Sequence, residues 1–202
     1  MKKTFFLAGL FFTLFMACKN TEKGIFEPSP GKLTSASLYN VDSIRMAILT
    51  SSGLDSEESK TESFKALSLF NQNEIDGGIA LCKSAIYVYP LAETYFELGN
   101  GMIAAKNYGE ALSAFHIAEL MNYSPLAAVM YKIANVYSIM PNRRLCSDGT
   151  TRLNDSMALR FMEIALQMGY QKPQDFLTDK AFDSLRINND WQFKTIFQTA
   201  KK

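Results

Sequence analysis

From Leu38 to the C-terminus the apolar residues recur at intervals of three and four, and no stretch alternates long enough to read as a half-buried strand. That spacing puts side chains on one stripe of a helix, and Asn, Gly and Pro cut the stripe into segments. Leu38, Val41, Ile44, Arg45 and Ile48 fit a short amphipathic helix, with Ser51-Ser52-Gly53 as its end. Asp55 or Ser56 is placed to cap the next helix, with Glu57 and Glu58 favourable in its first turn. The expected fold class is therefore all-α.

A chain of many short helices is searched for an internal period. Ala92-Glu93-Thr94-Tyr95-Phe96-Glu97-Leu98-Gly99 is followed by Met102, then Asn107-Tyr108-Gly109-Glu110-Ala111, then Phe115, Ala118 and Pro125. An aromatic before Leu-Gly, a tight turn, and a second helix bearing Ala, an aromatic and Ala resemble a tetratricopeptide repeat. Gly99, Ala111 and Ala118 are expected where two helix backbones approach closely. Tyr95, Leu98, Leu112 and Phe115 would fill the space between them. Upstream, Ala85 with Pro90 answers Ala118 at an offset of 33 residues; downstream, Ala134 answers Gly99 at 35. Ala66, Leu67, Phe70, Gly78 and Cys82 extend the first unit, and Ala158, Phe161, Met162 and Ala165 supply the second helix of the last. Gly99 and Ala111 are 12 residues apart but Ala134 and Ala158 are 24 apart, so a loop of enlarged length is expected at 140–155. At the end, Asp179-Lys180-Ala181-Phe182-Asp183-Ser184-Leu185-Arg186, with Trp191 and Phe193 beyond, resembles the closing element of bacterial proteins of this family. Phe182, Leu185, Phe193 and Phe197 would cover the apolar face of the last unit, as repeat arrays require.

The N-terminus reads as an address. Met1-Lys2-Lys3 is followed by an apolar run from Phe5 to Ala17, broken only by Gly9 and Thr13. As a helix that run spans about 20 Å, short of a hydrocarbon core of about 30 Å. A charged start, an apolar middle and a small residue at its end are the layout of a secretory signal. Leu14-Phe15-Met16-Ala17-Cys18 resembles a bacterial lipobox, which implies that Cys18 is lipidated and becomes the mature N-terminus. The place three residues before the cysteine holds Phe15 instead of the usual Leu, Val or Ile. An ordinary signal peptide or a permanent anchor is the alternative. Two or more acyl chains hold a protein firmly to a bilayer where one does not. Lys19 in place of Asp favours the outer membrane over retention at the inner one. The polar stretch from Lys19 to Ser37, with Gly24, Pro28, Pro30 and Gly31, reads as a flexible spacer.

Little in the chain points to catalysis. His116 is the only histidine, and no second histidine or cysteine stands at metal-ligand spacing, so neither a metal nor a cofactor is expected. No glycine-rich phosphate loop is present; Gly77-Gly78 reads as a helix start. The 21 basic and 20 acidic side chains nearly cancel, and loss of residues 1–17 removes only Lys2 and Lys3. A nucleic-acid surface is therefore not expected. Cys82 occupies a core-like place and Cys146 the long loop, an unfavourable pair for a disulfide.

The family resemblance implies a groove lined by the first helix of each pair. It places Glu93, Phe96, Asn100 and Ile103 of the central unit there, with Tyr131, Asn135 and Ser138 of the next. Helical phase also sets Phe96 off the Tyr95–Leu98 face. Lys132 is the one cationic candidate, too few for the subtype that clamps a free C-terminal carboxylate. The chain thus divides into a signal peptide at 1–17, a lipidated linker at 18–37, an N-terminal helix at 38–54, repeats over 55–170 and a cap at 171–202. The expected architecture is a short solenoid of about three helix pairs similar to tetratricopeptide repeats. The expected function is a non-enzymatic, membrane-anchored module that binds a protein or peptide in the cell envelope. The alternatives are an accessory of a cell-wall enzyme or hydrolase, with a site in the 140–155 loop, and a scaffold that assembles with itself.

Overall fold

The computed structural model describes residues 32–141 and 153–199. The signal segment, Cys18, most of the spacer and residues 142–152 of the insertion, including Cys146, lie outside the described residues. Within them the regular structure is helical throughout, with no strand. A short helix α1 (Val41–Thr50) precedes three pairs: α2 (Gly53–Asn71) with α3 (Ile75–Val88), α4 (Ala92–Ala104) with α5 (Tyr108–Leu120), and α6 (Leu126–Ile139) with α7 (Leu153–Gln167). The C-terminal region holds α8 (Asp175–Thr178), a 3-10 turn at Lys180–Phe182, α9 (Asp183–Asn188) and α10 (Asp190–Thr199). Consecutive helices pack on one another, making this an all-α protein of adjacent helix pairs.

The helix ends follow local chemistry. α2 starts earlier than the acidic residues suggested, because Ser52 is its N-cap. The Asp55 N–H donates to Ser52 Oγ at 3.4 Å and the Ser52 N–H to Asp55 Oδ2 at 2.7 Å, a reciprocal pair that satisfies two otherwise unpaired donors. Four helices end alike. After α2, α4, α5 and α7 the chain turns through positive φ at Asn73, Lys106, Asn122 and Gly169. The next N–H reaches back to the carbonyls of Leu69, Met102, Ala118 and Ala165 respectively, at 2.8–3.0 Å. Asn73 and Lys106 close similar turns 33 residues apart.

Between the helices, aromatic rings fill notches left by glycine. A Cβ on Gly99 would meet the Phe115 ring at 2.5 Å. Gly99 therefore makes room for a side chain of α5, rather than for the backbone approach inferred from the sequence. Phe70 does the same in the preceding pair: a Cβ on Gly78 would lie 2.3 Å from its ring, and one on Gly101 2.6 Å. Tyr95, Leu98, Ala111, Phe115, Ala118, Ala134, Ala158 and Ala165 are all fully buried, in one hydrophobic core with Ala66, Cys82 and Met162.

Both ends of the described region are drawn onto this core. Leu33 and Leu38 are buried, so the spacer stops short of residue 37. The buried Tyr95 hydroxyl donates to the Leu38 carbonyl at 2.6 Å, and Tyr39 donates to Glu110 at 3.1 Å. At the other end Phe182, Leu185, Phe193 and Phe197 are buried. They divide between two supports: the 3-10 turn packs on α6, and α10 packs on α7. Asn189 ties their junction to Asp155 at 3.0 Å. The helical register of α7 begins at Leu153, so the last three residues of the expected loop are helix.

Candidate functional site

The residues expected to line a groove have different fates. Glu93 is exposed. Phe96, expected to line the groove, is 8% exposed. Its ring stacks on Tyr123 at 4.3 Å between centroids and meets Phe115 edge-on at 5.6 Å. Tyr123 follows the turn closing α5, and it covers the face that helical phase left open.

Tyr131 and Asn135 are buried beneath the chain's own C-terminal segment. The Tyr131 hydroxyl donates to Asp179 Oδ2 at 2.7 Å, and Asn135 Nδ2 donates to the same oxygen at 2.8 Å. The Ala181 N–H donates to Asp179 Oδ1 at 2.8 Å, so both carboxylate oxygens are held. Aromatic packing completes the seat: Tyr170 stacks on Tyr131 at 4.7 Å, and Phe176 stands edge-on to it at 5.1 Å. Arg186 Nη1 donates to the carbonyls of Phe176 and Asp179, holding together this segment, a strap over residues 174–183. Ser138, also buried, donates to its own helix at the Asn135 carbonyl. The sequence pattern located this closing element, but the separation of 48 residues between Tyr131 and Asp179 hid what it closes upon.

What stays open is a cleft of about 560 Å³ between α4, α6 and the strap, lined by Asn100, Ile103, Lys132, Asn135, Ile139, Asp179, Lys180 and Ala181. Asn100, Ile103 and Asn135 thus share one surface. Asn100 gives its amide N–H to Glu97 at 3.1 Å, while its buried Oδ1 has no hydrogen-bond partner. Such an acceptor normally finds one. Burial pushes Lys132 below its ordinary range, against the opposing pull of Glu97, Asp179 and Asp175. Burial likewise pushes Glu97 up, offset in part by the Asn100 hydrogen bond and by Lys132. Among the described residues no carboxylate lies within 4.0 Å of the Lys132 ammonium. The cleft wall therefore carries an unsatisfied acceptor and an unpaired cation beside the apolar faces of Ile103 and Ile139.

His116 Nδ1 lies 3.0 Å from Glu119, and its ring stands 6.0 Å from that of Phe161 on α7. Among the described residues no group of three His, Cys, Asp or Glu side chains is disposed to hold a metal ion. Cys82 is a free thiol, fully buried, and burial, with a smaller push from Glu97, raises it to about 12. Because the thiolate is the reactive form, Cys82 should resist alkylation in the native protein and react fully in denaturant. Peptide mass spectrometry reads this, and rapid native labelling would show that α3 opens locally.

No protein-family model matches the chain, and no curated protein or solved structure shows significant similarity to it.

Proposed function

We propose that the chain is a bacterial lipoprotein, tethered through Cys18 and facing the periplasm or the cell surface from the outer membrane. Its helix pairs act as a protein-binding module of the tetratricopeptide-repeat kind. On this reading the cleft between α4, α6 and the strap receives a segment of a partner protein, and no catalytic step is involved. The observation that carries the reading is Lys132, a cation with no carboxylate partner among the described residues, in the wall of an open cleft beside Ile103 and Ile139. An extended backbone would offer a carbonyl for Lys132, with Ile103 and Ile139 as apolar contacts.

The test uses the rim of the cleft, because the buried Phe96 and Tyr131 cannot be changed without disturbing the fold. A photo-crosslinking residue at Ile103, in cells, should trap a partner. Lys132→Met should weaken capture by about 1.5–3 kcal/mol, more than tenfold, the worth of one hydrogen bond to a charged group. Ile103→Asp should abolish it with helicity unchanged. If capture survives both changes but disappears when residues 142–152 are replaced by a short polar linker, the function lies in the loop instead.

A further inference from the structure

The first helix of the fold is apolar on more sides than its neighbours cover. Ile44 and Ala47 of α1 face the core and are buried. Val41 and Ile48 turn sideways, lining with Ile117 and Leu120 an open apolar depression of about 250 Å³ between α1 and the end of α5. The outward side adds Met46 and Leu49, which are 49% and 79% exposed, and Leu120 on α5 is 61% exposed. Asp42 and Arg45, an exposed ion pair at 4.0 Å, are the charged groups of this helix, and Met46 and Leu49 stand exposed on it where a surface helix normally turns polar side chains to water. Large apolar side chains gathered at the surface in this way mark a contact.

We infer that this face rests on the bilayer to which the chain is tethered, so that α1 lies in the membrane surface with Met46 and Leu49 among the acyl chains. The inference rests on the proposed lipid anchor at Cys18. Fourteen residues separate Cys18 from Lys32, a span of at most about 50 Å even when fully extended. α1 is the first helix after that tether, and the tether makes even a weak apolar contact intramolecular in effect. Arg45 lines the depression with a largely exposed side chain, held only by a solvent-exposed ion pair with Asp42 at 4.0 Å. That is the position from which a long cationic side chain reaches lipid phosphate while its stem lies along apolar surface. No helix among the described residues is long and apolar enough to cross a membrane, so the contact is one of lying on the surface.

The single tryptophan, Trp191, lies on α10 and is 75% exposed. It serves as the reference for a reporter placed on α1. The full chain is expressed with its signal, purified, and reconstituted in vesicles of phosphatidylethanolamine and phosphatidylglycerol carrying brominated acyl chains. The wild type reports Trp191; Leu49→Trp combined with Trp191→Phe reports α1, at a site too exposed for the change to disturb packing. The expected result is a blue shift and loss of most emission for the α1 indole, with Trp191 little affected. Adding Met46→Asp should restore the emission while the protein remains on the vesicles. An acylated protein whose α1 indole is quenched no more than Trp191 overturns the contact and leaves the anchor standing. An intact mass showing no lipid on Cys18 overturns the anchor and the contact with it. A blue shift already present without vesicles, and reversed by dilution, assigns the face to a second copy of the chain and overturns the lipid contact.

Discussion

Phe115→Ala is expected to lower the free energy of unfolding by about 3–5 kcal/mol, the usual cost of emptying a buried phenylalanine site. Against a typical stability of about 5–15 kcal/mol, that approaches loss of the fold. The ring has no exposure, touches Phe96, and fills the notch over Gly99. It is the contact through which α4 and α5 become a pair. The notch supplies a second, sign-specific test. In the wild type Gly99→Ala places a methyl 2.5 Å from the Phe115 ring. The ring must move, which costs about 1–3 kcal/mol. With Phe115→Ala already made, the same methyl enters vacant space, so the double variant should be more stable than the two single effects predict. Urea denaturation followed by circular dichroism measures all three. Phe64→Ala is the control, since Phe64 is 70% exposed and should change stability by no more than about 0.5 kcal/mol. A Phe115→Ala effect as small as that control would mean that α4 and α5 do not pair through this ring.

The same pair shows why some of the fold was legible. Small residues at Gly99, Ala111 and Ala118, with aromatics between them, form a local pattern whose partners lie within about two dozen positions. Such contacts leave a periodic trace in the sequence. Cap chemistry was half visible: an acidic residue near the start of α2 was expected, but reciprocal bonding needed Ser52 three positions earlier. The candidate groove was the least legible region. Helical phase placed Phe96 off the core face of α4, yet phase says nothing about Tyr123, which lies beyond the helix and stacks on it. It likewise set Tyr131 and Asn135 on one face of α6, where the structure keeps them together, but not that Asp179 would occupy that face. A side chain is buried by whatever arrives from elsewhere in the chain, and contacts 44 and 48 residues away leave no period to read.

Asp179 carries the second large effect. Asp179→Ala removes the acceptor for two donors that stay buried, the Tyr131 hydroxyl and the Asn135 amide, and releases the Ala181 N–H as well. Each unpaired buried donor costs about 1–3 kcal/mol, so the strap should lose about 2–5 kcal/mol and detach before the helix pairs unfold. Hydrogen exchange should speed up over residues 174–183, where Phe176 and Phe182 lose their seat against Tyr131, and remain slow in α4 and α5. The carboxylate also supports the charge on Lys132, so the ammonium should fall further below its ordinary range in the variant. The decisive comparison is Tyr131→Phe made in both backgrounds. In the wild type it breaks a bond to a carboxylate and should cost about 1.5–3 kcal/mol. With Asp179→Ala it removes a hydroxyl that has lost its partner, and should be neutral or stabilising. Equal costs in the two backgrounds would show that the strap is held by its aromatic rings and that Asp179 merely sits beside them.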